Sequence, residues 1–265
     1  MNALELFSGS QSFRKQAEPM GLIVRSLDIK QVGKLQTEYL TDYMDFDIKS
    51  IDFKPDFIWA SPDCAAYSKA AGSTHFDKGS MKPKTEKAKK SILCVEKLYN
   101  DILYELSVNP KIIFWIENPV GRMEKLPFMQ DGIFQQIPNF RKVRIDQCAY
   151  GREYMKPTHI FTNDKYFVGK RCIGKDCHHA RNENGRSKFM THHFSGKGNC
   201  PFSCTGYWDR AKLPENLIIE ILKNHVKNET TKTIHQPTTS AVRSSKGVCL
   251  EAIPKRCYMA ENKYG

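Results

Sequence analysis

The run Phe57-Ile58-Trp59-Ala60, followed at once by Ser61-Pro62-Asp63-Cys64-Ala65-Ala66-Tyr67-Ser68, constrains this chain more than any other stretch. Four consecutive apolar residues that end at a proline-containing turn read as a short buried strand. The turn leaves the Cys64 thiol on a loop at the carboxyl end of that strand. Open α/β sheets keep their ligands and their chemistry at that edge. Most free cysteines are small buried hydrophobes, so Cys64 becomes a candidate nucleophile only with support from elsewhere in the chain.

That support comes in chain order. Ala3-Leu4-Glu5-Leu6-Phe7 reads as a strand, Ser8-Gly9-Ser10 as a tight turn and Gln11 to Met20 as a helix. Strand, small-residue turn and helix form the front of a nucleotide-binding βαβ unit, or an ordinary βα turn. A second strand over Leu22 to Leu27 ends at Asp28, whose carboxylate suits a ribose diol, or simply water. Lys30 to Tyr39 reads as a further helix, and the acids of Thr41-Asp42-Tyr43-Met44-Asp45-Phe46-Asp47 either line a cofactor pocket or stay solvated. Ala70 to Thr85 is polar and rich in lysine and glycine. It reads as a mobile loop able to close over a substrate, or as a disordered basic loop. Lys87 to Val108 carries the apolar spacing of a helix packed on a sheet. Lys111-Ile112-Ile113-Phe114-Trp115-Ile116 is the most strand-like run, and it ends in Glu117-Asn118-Pro119. If this strand neighbours Phe57 to Ala60, a thiol and a carboxyl face one crevice. Such a pair suits addition to an electron-poor ring, with the acid engaging the ring as the thiolate attacks.

Charge narrows the class of partner. The 265 residues hold 41 Lys+Arg against 29 Asp+Glu, a formal charge of +12 and a pI near 9.2. This excess favours a polyanion such as nucleic acid over an anionic membrane surface. No apolar run approaches a membrane span, and the N-terminus lacks a signal-peptide pattern, so the expectation is a cytoplasmic protein. Nine cysteines cannot all pair within one chain, and in a reducing compartment they are expected as thiols or metal ligands.

Taken together, these residues resemble the C5-cytosine DNA methyltransferases, in particular the small phage- or prophage-encoded members. Leu4 to Ser10 is similar to the family's first cofactor motif, with Asp28 as its ribose-binding acid and Asp42 or Asp45 where the third cofactor motif would lie. Ser61-Pro62-Asp63-Cys64 matches the nucleophile loop, and Glu117-Asn118-Pro119 the acid-bearing motif. Gln147-Cys148-Ala149-Tyr150-Gly151, Lys156-Pro157-Thr158 and Thr162-Asn163 resemble the close of the catalytic domain. Arg210-Ala211-Lys212-Leu213-Pro214 opens the last helix, expected over Pro214 to Val226. The chain departs from the family at Gln11, where a second glycine is usual, at Asp63, where a proline is usual, and at Ala65, in place of a glutamine. The Arg-x-Arg element is partial, in Arg144 or Arg152.

The resemblance implies a Rossmann-like S-adenosylmethionine-dependent methyltransferase fold of α/β class with a small Cys/His-rich insertion. It implies Cys64, Glu117, Asn118 and Pro62 as catalytic residues, and Phe7, Ser8, Gly9, Ser10, Asp28, Ile29, Asp42 and Asp45 around the cofactor. Ser68, Arg144, Arg152 and Lys156 are placed against a double-stranded DNA substrate, whose target base must leave the stack. The implied division is a catalytic domain over 1–168, an insertion over 169–207, a returning helix over 208–227 and a polar, flexible tail over 228–265; a monomer is expected. Within the insertion, Cys172, Cys177, Cys200 and Cys204, with His178, His179, His192 and His193 nearby, read either as a tetrahedral zinc site or as unligated thiols. Two rival functions stand beside methylation of DNA. One is a DNA-binding relative that has lost catalysis, and the other a methyltransferase acting on RNA or a modified pyrimidine.

Overall fold

Runs that are apolar at every position, such as Phe57 to Ala60, demand cover on both faces of a sheet. The computed structural model, which describes residues 1–32, 34–68, 71, 73–130, 137–177, 180–183, 186–189 and 211–232, shows how that cover is built. The strands are β1 (Asn2–Leu6), β2 (Ile23–Asp28), β3 (Tyr39–Leu40), β4 (Phe57–Ala60), β5 (Ile113–Pro119), β6 (Arg141–Asp146) and β7 (Pro157–Thr162). They form one sheet in the order β3-β2-β1-β4-β5-β7-β6. Only β7 runs antiparallel, inserted between β5 and β6. The strand order reverses between β1 and β4, which places the crevice at the carboxyl ends of those two strands and of β5. This is the Rossmann-like α/β architecture expected.

Alternate residues of each strand feed opposite layers. Ile58, Ala60, Phe114 and Ile116 pack with Val95, Leu98 and Ile102 of helix α2 (Glu86–Val108). Phe57, Trp59 and Trp115 pack on the other face with Phe13 of α1 (Ser12–Ala17) and with Leu217, Ile218 and Ile221 of the last described helix, α4 (Glu215–Lys232). A four-residue helix, α3 (Pro127–Gln130), follows β5, and a hairpin of β8 (Ala180–Glu183) and β9 (Arg186–Phe189) lies in the Cys/His-rich segment. Helix α2 starts where Thr85 Oγ1 accepts the Ala88 N–H at 3.2 Å, with Glu86 favourably placed at the positive end of the helix dipole. None of the helices among the described residues is long and apolar enough to cross a membrane.

Three expectations change. Lys30 to Tyr39 is not helical. Instead, the Gln31 side chain accepts the Thr37 N–H at 2.8 Å and donates to the Leu35 carbonyl, so local side-chain bonds replace a helical ladder. The first helix is α1 followed by a 3-10 turn over Glu18–Met20, and Gln11 stands just outside it with a left-handed φ of 54°. The last helix continues past Val226 to Lys232. Within the loop expected over Ala70 to Thr85, Phe76 is fully buried and stacks on Tyr67. Cys200, Cys204 and the four histidines of the insertion lie outside the described residues, as does the chain beyond Lys232.

One buried polar knot fastens α4 to the sheet. Asp164 Oδ2 accepts from the Trp115 indole at 3.3 Å and lies 3.0 Å from His225 Nε2, while Oδ1 accepts the Tyr166 N–H at 2.9 Å. Burial pushes the carboxyl upward, but the His225 contact and these hydrogen bonds outweigh it and hold Asp164 below the usual carboxylate range. Its contribution is therefore complete at neutral pH and fades as acid carries the solution down through that lowered value. Asp164→Ala should cost about 2–3 kcal/mol at neutral pH, because it strands buried donors. Urea unfolding at neutral and acid pH should show the gap between variant and wild type narrowing in acid.

Candidate active site

Strands β4 and β5 are parallel neighbours, with Ala60 opposite Ile116, so the chains that leave their carboxyl ends emerge side by side. The first carries Pro62 and Cys64; the second carries Glu117 and Asn118. Asn118 Nδ2 donates to the Pro62 carbonyl at 3.1 Å, which ties one exit to the other. The loop carrying Cys64 then closes on itself, as the Cys64 carbonyl accepts the Tyr67 and Ser68 N–H groups at 3.0 and 2.9 Å. Tyr67 O in turn accepts the Arg122 N–H at 2.8 Å, and Ser68 bridges Gly121. A Cβ on Gly121 would stand 2.2 Å from Tyr67 O, so glycine is required where the two backbones meet.

The electrostatics of the site follow from burial. Glu117 and Asn118 are buried, and among the described residues Glu117 Oε1 and Asn118 Oδ1 have no hydrogen-bond partner. Burial pushes the Glu117 carboxyl up, opposed by Lys156 and Arg152. Burial likewise pulls the ammonium of Lys156 down, opposed by Glu117. Burial pushes the Cys64 thiol up and Glu117 adds to it; Lys156 opposes, and Asp63 contributes a smaller push. Asp63 itself turns away from the sulfur. Its Oδ1 accepts the Ala65 N–H at 2.9 Å, and its Oδ2 lies 3.3 Å from Lys87 Nζ on α2. Cys64, Glu117 and Lys156 therefore form one coupled set of a thiol, an acid and a cation, suited to attack on a polarised ring.

The glycine turn after β1 forms the neighbouring wall. Phe7 and Gly9 both have left-handed φ, 57° and 48°. The Gly9 N–H donates to Asp28 Oδ2 at 2.8 Å, and Asp28 Oδ1 accepts the Lys30 N–H at 3.1 Å, which leaves free lone pairs on both oxygens. Ser8 Oγ is buried without a partner, and Ile29 is 60% exposed beside Asp28. Pro62, Asp42, Met44, Asp63, Lys87 and Cys94 line a cleft of ≈ 450 Å³ along the start of α2. Asp45 is exposed in the same turn as Asp42 and is not among the residues lining this cleft.

The remaining expected residues spread along the rim. Arg152 donates to Gln147 Oε1 at 2.8 Å and to the Lys212 carbonyl, which fixes it against the start of the last helix. Arg144 is exposed on β6 and lies 3.7 Å from Asp146. Sequence reasoning missed Glu5. This residue is buried in β1, its two oxygens accept the Phe13 and Arg14 N–H groups at 3.1 and 3.2 Å, and burial pushes it up to about 8 despite those bonds. The acidic residue inside an otherwise apolar strand was the available signal. It also missed Cys148, whose sulfur lies near those of Cys172 and Cys177; only a fold could bring it there.

No protein-family model matches the chain. A curated relative from Frog virus 3 (isolate Goorha), named "Probable DNA (cytosine-5)-methyltransferase", is 31% identical over 185 residues, spanning 66% of this chain and 77% of the relative. Among solved structures, the S. pombe Dnmt2 methyltransferase aligns with a TM-score of 0.41 at 16% identity, over 71% of this chain and 58% of that one. The Entamoeba histolytica methyltransferase EhMeth aligns with a TM-score of 0.40 at 19% identity, over 61% and 52%. The chain thus spans little more than half of each of these solved structures.

The coupled set has a readout that needs no substrate. With its thiol pushed up, Cys64 should be alkylated by iodoacetamide at an appreciable rate only above the ordinary thiol range. Glu117→Gln removes a negative neighbour and should move the pH profile to lower pH, raising the rate at neutral pH. Lys156→Met removes the opposing cation and should move it to higher pH. Peptide mapping of Cys64 labelling across pH checks both; identical profiles in all three proteins would dismiss the coupling.

Proposed function

The chain belongs to the DNA (cytosine-5)-methyltransferase family, and on that premise we propose that it transfers a methyl group from S-adenosylmethionine to C5 of a cytosine in double-stranded DNA. The observation that carries this reading is the meeting of Cys64 and Glu117 at the carboxyl ends of adjacent parallel strands, joined through Asn118 and Pro62. A thiolate and a buried acid side by side are what addition to a pyrimidine ring requires.

The residues of the cofactor wall fit S-adenosylmethionine. The unpartnered buried Ser8 hydroxyl, the free lone pairs of Asp28 and the exposed Ile29 face beside it offer hydrogen bonds and apolar contact to a nucleoside, with Asp42 and Pro62 along the adjoining cleft. When bound, this group supplies an electrophilic methyl. The chain's own residues do the rest. The Cys64 thiolate forms a bond to C6 of the cytosine, and the C5–C6 π pair becomes available at C5. Glu117, kept protonated more readily by its burial, donates to N3 and so accepts the negative charge that would otherwise build on the ring. The C5 pair takes the methyl group. Loss of the C5 proton to solvent then restores the C5–C6 double bond and expels Cys64 as thiolate, while the N3 proton returns to Glu117. Lys156 opposes the rise of the thiol and holds negative charge in the pocket.

A stacked base is out of reach of Cys64, so the cytosine must be extruded, which costs a few kcal/mol. The surplus of 41 basic over 29 acidic residues supplies the phosphate attraction that offsets it. The test is transfer of labelled methyl from S-adenosylmethionine to mixed-sequence duplex DNA. Cys64→Ala should abolish label at C5 and leave duplex affinity unchanged; label persisting in that variant overturns the mechanism. Asn118→Ala, which frees the loop, should lower kcat about 100-fold, the scale of a 1 Å misplacement, with little change in the KM for S-adenosylmethionine. Label on RNA but not on DNA would replace the substrate while keeping the nucleophile.

A further inference from the structure

Three cysteines from two separate stretches of chain converge at the edge of the sheet. Cys148 is buried in the 3-10 turn Gln147–Tyr150 that follows β6. Cys172 and Cys177 flank a second 3-10 turn, Gly174–Asp176. The three sulfurs all lie within 4.8 Å of one another. We propose that Cys148, Cys172 and Cys177 are thiolate ligands of a structural zinc ion that clamps the segment after Lys170 onto the rim of the catalytic sheet.

The geometry is close to what the ion needs. With Zn–S bonds of about 2.3 Å in a tetrahedron, sulfurs sit roughly 3.8 Å apart, so closing the site takes a contraction of at most about 1 Å. The second turn is wound as a ligand loop. The Gly174 N–H donates to Cys172 Sγ at 3.3 Å and Gly174 O accepts the Cys177 N–H at 3.0 Å, a reversal that Gly174 permits with its φ of 75°. An N–H aimed at a sulfur stabilises a bound thiolate and fixes its direction.

The two stretches are held in register apart from any metal. Asp146 Oδ2 accepts the Cys172 N–H at 3.0 Å and the Arg171 guanidinium at 2.8 Å, and the Asp146 N–H donates to Lys170 O at 3.0 Å. A disulfide would use two of the sulfurs and leave the third against it without purpose; a tetrahedral ion uses all three and leaves one vertex for a further donor. This ligand set shares Cys172 and Cys177 with the one expected from sequence and adds Cys148, which belongs to the catalytic domain. A metal held this way would fix the entry of the insertion relative to Arg152 and Lys156, whose segment lies between the two halves of the site.

The test uses the full chain, purified reduced and without added chelator. Native mass spectrometry should show one zinc per chain, and cobalt substitution should give the thiolate charge-transfer and tetrahedral ligand-field bands. Cys148→Ser and Cys172→Ser should each weaken zinc by at least about 100-fold in chelator competition, whereas the remote Cys94→Ser should not. Because Cys148 is buried, the half-buried Cys172 provides the variant that keeps the native core. Zinc absent from the reduced wild type, zinc affinity unchanged in the folded Cys172→Ser, or a disulfide linking two of the three would each overturn the proposal. None of these readouts depends on methyl transfer.

Discussion

The bond between Asn118 and the Pro62 carbonyl is the contact on which the candidate site depends. Parallel strands deliver their carboxyl ends to one edge, but they do not by themselves fix how two departing loops lie together. Here a buried amide reaches across, and Gly121 lets the β5 exit approach Tyr67 O closely enough for the Arg122 N–H to bond it. Cys64 sits between those two fastenings. A side chain at 121 or the loss of the amide would leave the thiol on an ordinary surface loop, even with every strand intact.

Within that frame, burial has two consequences that pull against each other. It raises Cys64, which disfavours the thiolate that the proposed attack requires, and it raises Glu117, which favours the protonated acid proposed to engage a ring nitrogen. Lys156 moderates both effects, and it stands just ahead of antiparallel β7, the strand paired with β5 on the side away from β4. The inserted β7 therefore does more than close the sheet. It carries its preceding residues back beside the ends of β4 and β5, where a cation is useful, and its own last residue, Thr162, donates its hydroxyl to the Phe114 carbonyl of β5 at 2.5 Å.

Much of this was legible because apolar patterning and chain ends are local. Phe57 to Ala60 and the long helix after it needed only consecutive residues to be read, and the adjacency of β4 and β5 followed from the ordinary habits of α/β sheets. Lys30 to Tyr39 misled because its polar composition suits a helix, while the side-chain bonds of Gln31 that prevent one are invisible until the backbone has turned. The place of Cys148 beside Cys172 and Cys177 was illegible for the same reason. Cys148 is distant in sequence from Cys172, and only the antiparallel return of β7 and the Asp146 contacts bring their segments together.

Two of the departures from the family pattern, at Gln11 and Asp63, are also physically intelligible. A residue at position 11 must adopt φ 54° and ψ 46°, a conformation that costs a non-glycine residue about 1 kcal/mol or more, which explains a preference for glycine there. Gln11 holds it through contacts glycine could not make, since Nε2 donates to Ser26 Oγ, the Gln36 carbonyl and Thr37 Oγ1 at 3.2, 3.2 and 3.3 Å. The glutamine thus substitutes tertiary bonds for backbone freedom, and it keeps the turn at the cofactor wall. Asp63 follows the same logic. Proline would restrict the backbone before the residue at 64; the aspartate restricts it by accepting the Ala65 N–H, and with Lys87 beside it adds only a small push to the thiol. Both positions preserve the conformation of the site by a different interaction, so neither substitution removes the geometry on which the proposed chemistry rests.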